Sequence, residues 1–259
     1  MFRSLTSLYG YALTAAGAEI GTVHNFFFDD LRWNIRYLVV ETGSWLRSRK
    51  VLIDPVALGR PDFAHRSLPV SLTPDQVRNS PDVDTEKPVS RRFQIALHQH
   101  FGWPRYWIPE PVLGMTPVPA GPTPVIPIND EGDPHLRCAR EITGYSVRAS
   151  TGPAGVVTDF ILDDRKWVIR RLVIALDDRL SRGREVLVRP SAVESISWKS
   201  ELVVLDLSRD RLARCFQYDP AFPVNRVREI RRYDFHGRPA GQTPFARPRL
   251  PQTSKRKEG

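Results

Sequence analysis

One phrase occurs twice in this chain. Residues 26–40 read FFFDDLRWNIRYLVV, and residues 160–174 read FILDDRKWVIRRLVI. From Gly21 to Val39, ten of nineteen positions are identical to those 134 residues later. They are Gly21/Gly155, Val23/Val157, Phe26/Phe160, Asp29/Asp163, Asp30/Asp164, Trp33/Trp167, Ile35/Ile169, Arg36/Arg170, Leu38/Leu172 and Val39/Val173. With one residue inserted the match runs on: KVLIDP (50–55) answers EVLVRP (185–190), and LTPDQV (72–77) answers LSRDRL (207–212). The outline persists through Asp84, Pro88, Val89 and Arg91 against Asp219, Pro223, Val224 and Arg226, then Gly102 and Pro104 against Gly237 and Pro239. A unit of about 95–100 residues is too long for a solenoid repeat, whose period is about 20–50 residues. The repeat therefore predicts two copies of one small domain.

Within each unit the pattern is mostly strand. GTVHNFFF is rich in β-branched and aromatic residues, DDLRWN supplies turn formers, and IRYLVVE reads as the returning strand. Asp29 and Asp30 suit the bend because Asp accepts local backbone hydrogen bonds. As adjacent turn residues they diverge, so they are not read as a catalytic pair. KVLIDP and EVLVRP are short strands stopped by proline, and LVVLDLS (202–208) is another. LTPDQVRNSP opens a short helix, with Thr73 as N-cap, Pro74 at the first position and Gln76 closing a capping box. PVSRRFQIALHQHFG reads as a second helix, capped by Ser90 and ended by Gly102, with Phe93, Leu97 and Phe101 on one face. Trp33 and Trp167 are expected to be structural, covering a core edge at the first hairpin of each copy. If the returning strand begins at Trp33, that residue shares a face with Ile35.

Many short strands with an early hairpin suggest a small barrel. Both copies resemble the PRC-barrel, shared by the cytoplasmic domain of the photosynthetic reaction-centre H subunit and the C-terminal barrel of the ribosome-maturation factor. The resemblance lies in the Gly-x-Val lead-in, the body FFFDDLRWNIRYLVVETGSWLRSRKVLIDP and the extension LTPDQVRNSPDVDTEKPVSRRF…HFGWPRYW, and it covers about 200 of the 259 residues. The second copy keeps only the outline of the extension. The expected class is thus mainly β: two PRC-type barrels from an internal duplication, with short helices after the first. The boundaries are residues 1–107 for the first barrel and its extension, 108–137 for a linker, 138–239 for the second barrel and 240–259 for a tail. The linker holds eight prolines in thirty residues, a semi-rigid spacer of polyproline character.

The resemblance implies protein contacts rather than catalysis, and the expectation is a non-enzymatic adaptor. No phosphate loop, dinucleotide fingerprint or nucleophile elbow occurs in the chain. No catalytic residue, cofactor or metal site is assigned. His98 and His100 form H-x-H, but at i and i+2 on a helix they face different ways. The candidate interaction surface is Trp103, Arg105, Tyr106 and Trp107, with packing back across a barrel as its equal alternative. Arg228, Arg231 and Arg232 form a candidate basic patch for phosphate, with a solvated helix face as the preferred alternative. The last twenty residues carry five basic groups and one acidic, +4 of the net +9. That charge keeps an RNA- or ribosome-associated role as the alternative, through weak, non-specific, salt-sensitive contacts. No apolar run reaches the ~18 residues of a membrane span, which leaves only a peripheral membrane contact open. The N-terminus imitates a signal peptide, yet its Gly10-Tyr11 recurs as Gly144-Tyr145 inside the second copy. Cys138 and Cys215 make no disulfide framework, which fits a cytoplasmic protein.

Overall fold

The repeated hairpin is the longest piece of regular structure in each half of a computed structural model that describes residues 1–43, 49–81, 83, 89–107, 132–177 and 183–220. Strand β3 (Ala18–Asp29) returns as β4 (Ile35–Glu41), and β9 (Gly152–Asp163) returns as β10 (Val168–Leu176). Around the first are β2 (Ala12–Ala15), β5 (Lys50–Ile53) and β6 (Ser67–Val70). Around the second are β8 (Ser146–Ala149), β11 (Glu185–Val188), β12 (Val193–Ser197), β13 (Leu202–Leu205) and β14 (Phe216–Gln217). The fold is mainly β, in two sheets ordered β5-β4-β3-β2-β6 and β12-β13-β8-β9-β10-β11-β14. Among the described residues neither sheet closes end to end into a barrel.

Irregularities recur in both hairpins at the same offset. The ladder slips between Val23 and Asn25, opposite Val40 and Val39, and again between Val157 and Asp159, opposite Ile174 and Val173. It slips a second time where Arg36 and Arg170 bulge out. Gly155 is required by close approach: a Cβ there would stand 2.0 Å from the Ala175 carbonyl oxygen, and Gly21 meets Glu41 O in the same way at 2.5 Å.

The two sheets exchange strands. β1 (Phe2–Ser4), which opens the first copy, does not join the first sheet. It pairs antiparallel with β9, Phe2 opposite Asp163 and Ser4 opposite Ile161. Reciprocally, β7 (Leu136–Cys138) pairs with β3, Leu136 opposite Asp29 and Cys138 opposite Phe27. Each continues the edge already occupied by β8 or β2. The hairpin turns meet as well: Ile35 N donates to Trp167 O at 2.7 Å, and Ile169 N to Trp33 O at 2.8 Å. One core runs through both halves, with Phe28 and Phe160 5.5 Å apart between ring centroids.

All described residues belong to one compact unit, Met1–Pro223. Residues 136 and 137, placed in the linker by the sequence, are strand; β3 offers an unpaired edge at Phe27–Asp29 that β7 fills.

The outer face of the first sheet carries a second core of Phe27, Tyr37, Val39, Leu52, Val89 and Leu97. Helix α2 (Arg91–Phe101) covers it. The Ser90 side chain accepts from Phe93 N, and Gly102 ends the helix at φ 70°. Helix α1 (Pro74–Arg78) has the expected Thr73–Gln76 capping box. Two short helices, α3 (Ala139–Ile142) and α4 (Arg209–Ala213), belong to the second half.

Candidate functional site

The residues of the twin phrase are tied to one another, and their partners show why the phrase is repeated. Asp29 turns inward on its own hairpin: its carbonyl accepts from Trp33 N at 2.8 Å, and its carboxylate pairs with the bulged Arg36 at 2.6 Å. Asp163 repeats this with Trp167 N at 2.8 Å and Arg170 at 3.5 Å. The second aspartate of each pair reaches across to the other copy. Asp30 receives Arg137 Nε at 2.5 Å from β7 and His135 Nδ1 at 2.9 Å from the residue just before it. Asp164 receives Arg3 Nε at 3.1 Å from β1 and the Met1 amino group just before it.

A further pair completes the exchange. Asn25 Oδ1 accepts from Arg140 N at 3.2 Å, and its Nδ2 donates to Cys138 Sγ at 2.9 Å. At the equivalent place Asp159 accepts from Thr6 N at 3.2 Å and from the Ser4 hydroxyl. Burial, the largest influence, pushes the Cys138 thiol up, so at neutral pH it is a protonated packing group rather than a nucleophile.

Trp33 and Trp167 are buried, 7% and 8% exposed. Both take the left-handed conformation, at φ 61° and 52°. They are therefore turn residues, and the returning strands begin two and one residues later, at Ile35 and Val168. The expectation that Trp33 shares a strand face with Ile35 does not hold, because the N–H of Trp33 closes the turn onto Asp29 O. Their rings take different partners: Trp33 stacks on Phe28 of its own hairpin at 5.2 Å, and Trp167 on Phe26 of the other copy at 6.4 Å.

The candidate interaction surface lies on the first sheet's outer face, where Trp103, Arg105, Tyr106 and Trp107 are each half-buried. The segment packs back over α2. Trp103 stacks on Phe101 at 4.2 Å, and Trp103, Tyr106 and Trp107 all face the imidazole of His98 within 6.1 Å. Arg36 lies 3.9 Å over the Tyr106 ring, and Arg91 4.6 Å over that of Trp107. Tyr106 donates to Gln94 Oε1 at 2.7 Å, and Arg91 bridges Gln94 to Asp133.

His98 is enclosed in this cluster. Its Nδ1 must donate to Pro104 O at 2.9 Å, since a carbonyl only accepts, so Nε2 accepts from the Tyr37 hydroxyl at 2.8 Å. Burial holds its pKa below the ordinary histidine value, which fits a neutral ring. Asp54, 3.9 Å from Nε2, is pushed up to about 6 by burial. His100 points elsewhere and bonds Gln76 O at 2.9 Å. Among the described residues no three His, Cys, Asp or Glu side chains converge to hold a metal, and no helix is long and apolar enough to cross a membrane. Arg228, Arg231, Arg232 and the basic tail lie outside the described residues.

Several residues of this architecture escaped the sequence reading. Arg3 and Arg137 stand at the same 134 offset, seventeen or more positions ahead of where the repeat becomes dense. Arg49 and Arg184 precede the KVLIDP and EVLVRP strands. Arg49 donates to Arg78 O at the last residue of α1 and to Ser80 O just past it, and Arg184 to Ala213 O at the last residue of α4 and to Cys215 O just past it. Both serve helix C-termini, where cations are favourable. A comparison with protein-family models gives no match for this chain, and neither does one with curated proteins.

Proposed function

We propose that this chain is a non-enzymatic interaction scaffold, built of two PRC-type barrels that arose by duplication and are joined through exchanged lead strands. The observation that carries the reading is the engagement of the repeated charges. Asp29, Asp30, Asp163 and Asp164, which the sequence already excluded as a catalytic pair, are each held by an arginine in a structural pairing. A catalytic carboxylate needs reach to a substrate; these reach the other copy or their own bulge. What faces outward includes isolated apolar side chains, Leu31 at the first hairpin turn and Trp198 at the β12–β13 turn, 69% and 64% exposed. Single exposed apolar groups are ordinary on a protein surface, so these two positions serve as probes for a contact rather than as evidence of one.

The test is photo-crosslinking from positions 31, 107 and 198 of the full chain in its native host, followed by reconstitution from purified components. The expected result is a defined protein in a stoichiometric complex that survives nuclease. Recovery of RNA instead, by contacts that weaken steeply with salt and vanish on deleting residues 240–259, would favour nucleic-acid association.

A further inference from the structure

We propose that the two repeated hairpin turns together form a docking surface for an anionic lipid bilayer. The turns meet in a short antiparallel ribbon, with Asn34 bridged to Val168, Ile35 N on Trp167 O and Ile169 N on Trp33 O. Within it Trp33, Ile35, Trp167 and Ile169 are buried, while Asn34 and Val168 are half-buried. The ribbon therefore roofs the shared core, and its outer side faces solvent. Because the bonds are reciprocal, a local twofold axis relates the turns. Equivalent residues stand at equal heights on such an axis, so Leu31 is level with Arg165, and Arg32 with Lys166. All four are exposed.

The charges at this pole do not cancel. Asp29, Asp30, Asp163 and Asp164 are taken by Arg36, Arg137, Arg170 and Arg3. Among the described residues no carboxylate pairs with Arg32, Arg165 or Lys166. Their backbones brace the turns, with Arg32 N donating to Asp29 Oδ1 at 2.5 Å and Lys166 N to Asp163 O at 3.2 Å. Three cations thus stand on two fixed tips without a counterion from the chain, and their field attracts anions. Leu31, 69% exposed, would be ordinary by itself. Here it shares a tip with Arg32 and stands level with a further cation. An anionic bilayer serves both kinds of group, with headgroups for the cations and an acyl boundary for the leucine. A nucleic acid serves only the first. Single strands are held by stacking on open aromatic faces, and the aromatic residues of these turns, Trp33 and Trp167, are buried. The surface is independent of any protein partner of the scaffold.

The experiment measures binding of the full chain to vesicles of phosphatidylcholine alone and with about 30% phosphatidylserine, at about 0.1 M salt. The expected result is binding to the anionic vesicles only. Each basic side chain at such a surface contributes roughly fivefold in affinity, so Arg32→Glu/Arg165→Glu/Lys166→Glu should weaken binding by about 100-fold. The neutral set Arg32→Gln/Arg165→Gln/Lys166→Gln covers the case in which charge reversal unsettles the fold. Arg60→Glu/Arg148→Glu/Lys199→Glu makes the same charge change at exposed positions elsewhere and should weaken binding less than about fivefold. In a Cys138→Ser/Cys215→Ser background, an environment-sensitive dye on Leu31→Cys should shift to the blue on the anionic vesicles and be quenched by a lipid-borne quencher. The same dye on Trp198→Cys should not. No binding to the anionic vesicles, equal losses in the two Glu sets, or a dye at position 31 that stays in water would each overturn the proposal. So would a single-stranded RNA that binds more tightly than the vesicles and is lost with the same Arg32/Arg165/Lys166 set, an outcome that assigns the pole to nucleic acid.

Discussion

Trp167 offers the sharpest test of how the halves are joined. Its indole is 8% exposed and stacks on Phe26 of the other copy, while its backbone sits at φ 52° with N–H on Asp163 O and C=O on Ile35 N. Truncation to Ala removes roughly 150–200 Å² of buried apolar surface, which at about 25 cal/mol per Å² comes to about 4 kcal/mol. The cavity series for aromatic-to-alanine changes gives a similar figure, about 3–5 kcal/mol. Ala retains a Cβ, so it still bears the left-handed backbone cost of about 1–2 kcal/mol; Gly does not. Gly in turn loses about 0.5–1 kcal/mol through the greater freedom of its unfolded chain. Trp167→Gly should therefore be at least as stable as Trp167→Ala, the reverse of the order in an ordinary strand. Equilibrium unfolding in guanidinium, followed by far-ultraviolet circular dichroism and by fluorescence, measures both. Because Phe26 loses its cover, both sheets should shift in one transition. A loss below about 1 kcal/mol, an Ala variant clearly more stable than the Gly variant, or a profile that splits into one altered and one unaltered half would each refute the reasoning.

Arg137→Ala should cost about 2–3 kcal/mol, because it leaves the half-buried Asp30 without its charged donor, and the Arg137→Ala/Asp30→Ala double-mutant cycle should return a coupling of about 1–3 kcal/mol. Gly155→Ala should destabilise by more than about 2 kcal/mol in urea unfolding, since its Cβ would meet the Ala175 carbonyl at 2.0 Å. For Asp54 the folded pKa of about 6 lies above the usual 3.8, so the folded state binds the extra proton between those values. Stability from this group is present below about pH 4 and is lost as pH rises through about 6. Asp54→Asn keeps the acceptor for Val56 N and should be more stable than the parent at pH 8 by up to about 3 kcal/mol, with the difference fading by pH 4; an Asn variant less stable at pH 8 would contradict this. Deleting residues 240–259 should abolish any salt-sensitive binding to RNA in a filter or fluorescence assay while leaving the melting temperature unchanged.

What the sequence determined is local. The capping box of Thr73 and Gln76, the Ser90 cap and the Gly102 terminus depend on partners within a few residues, so their pattern is visible in order along the chain. The hairpin turns are equally local, although the left-handed Trp33 and Trp167 were not expected, because that backbone rarely selects tryptophan. The aromatic segment at 103–107 could be read as contact surface or as packing. Only the placement of His98, Gln94 and Arg36 around it showed the packing. The strand exchange was not legible for a stricter reason. Arg3 and Arg137 are the same residue type, as are Asp30 and Asp164, so β1 finds at its own β3 the carboxylate that it finds at β9. The sequence specifies which groups must pair and leaves open which copy supplies the partner. Tertiary structure decides that, because the core shared by Phe26, Phe28, Phe160 and Trp167 brings each lead strand against the other copy's edge rather than its own.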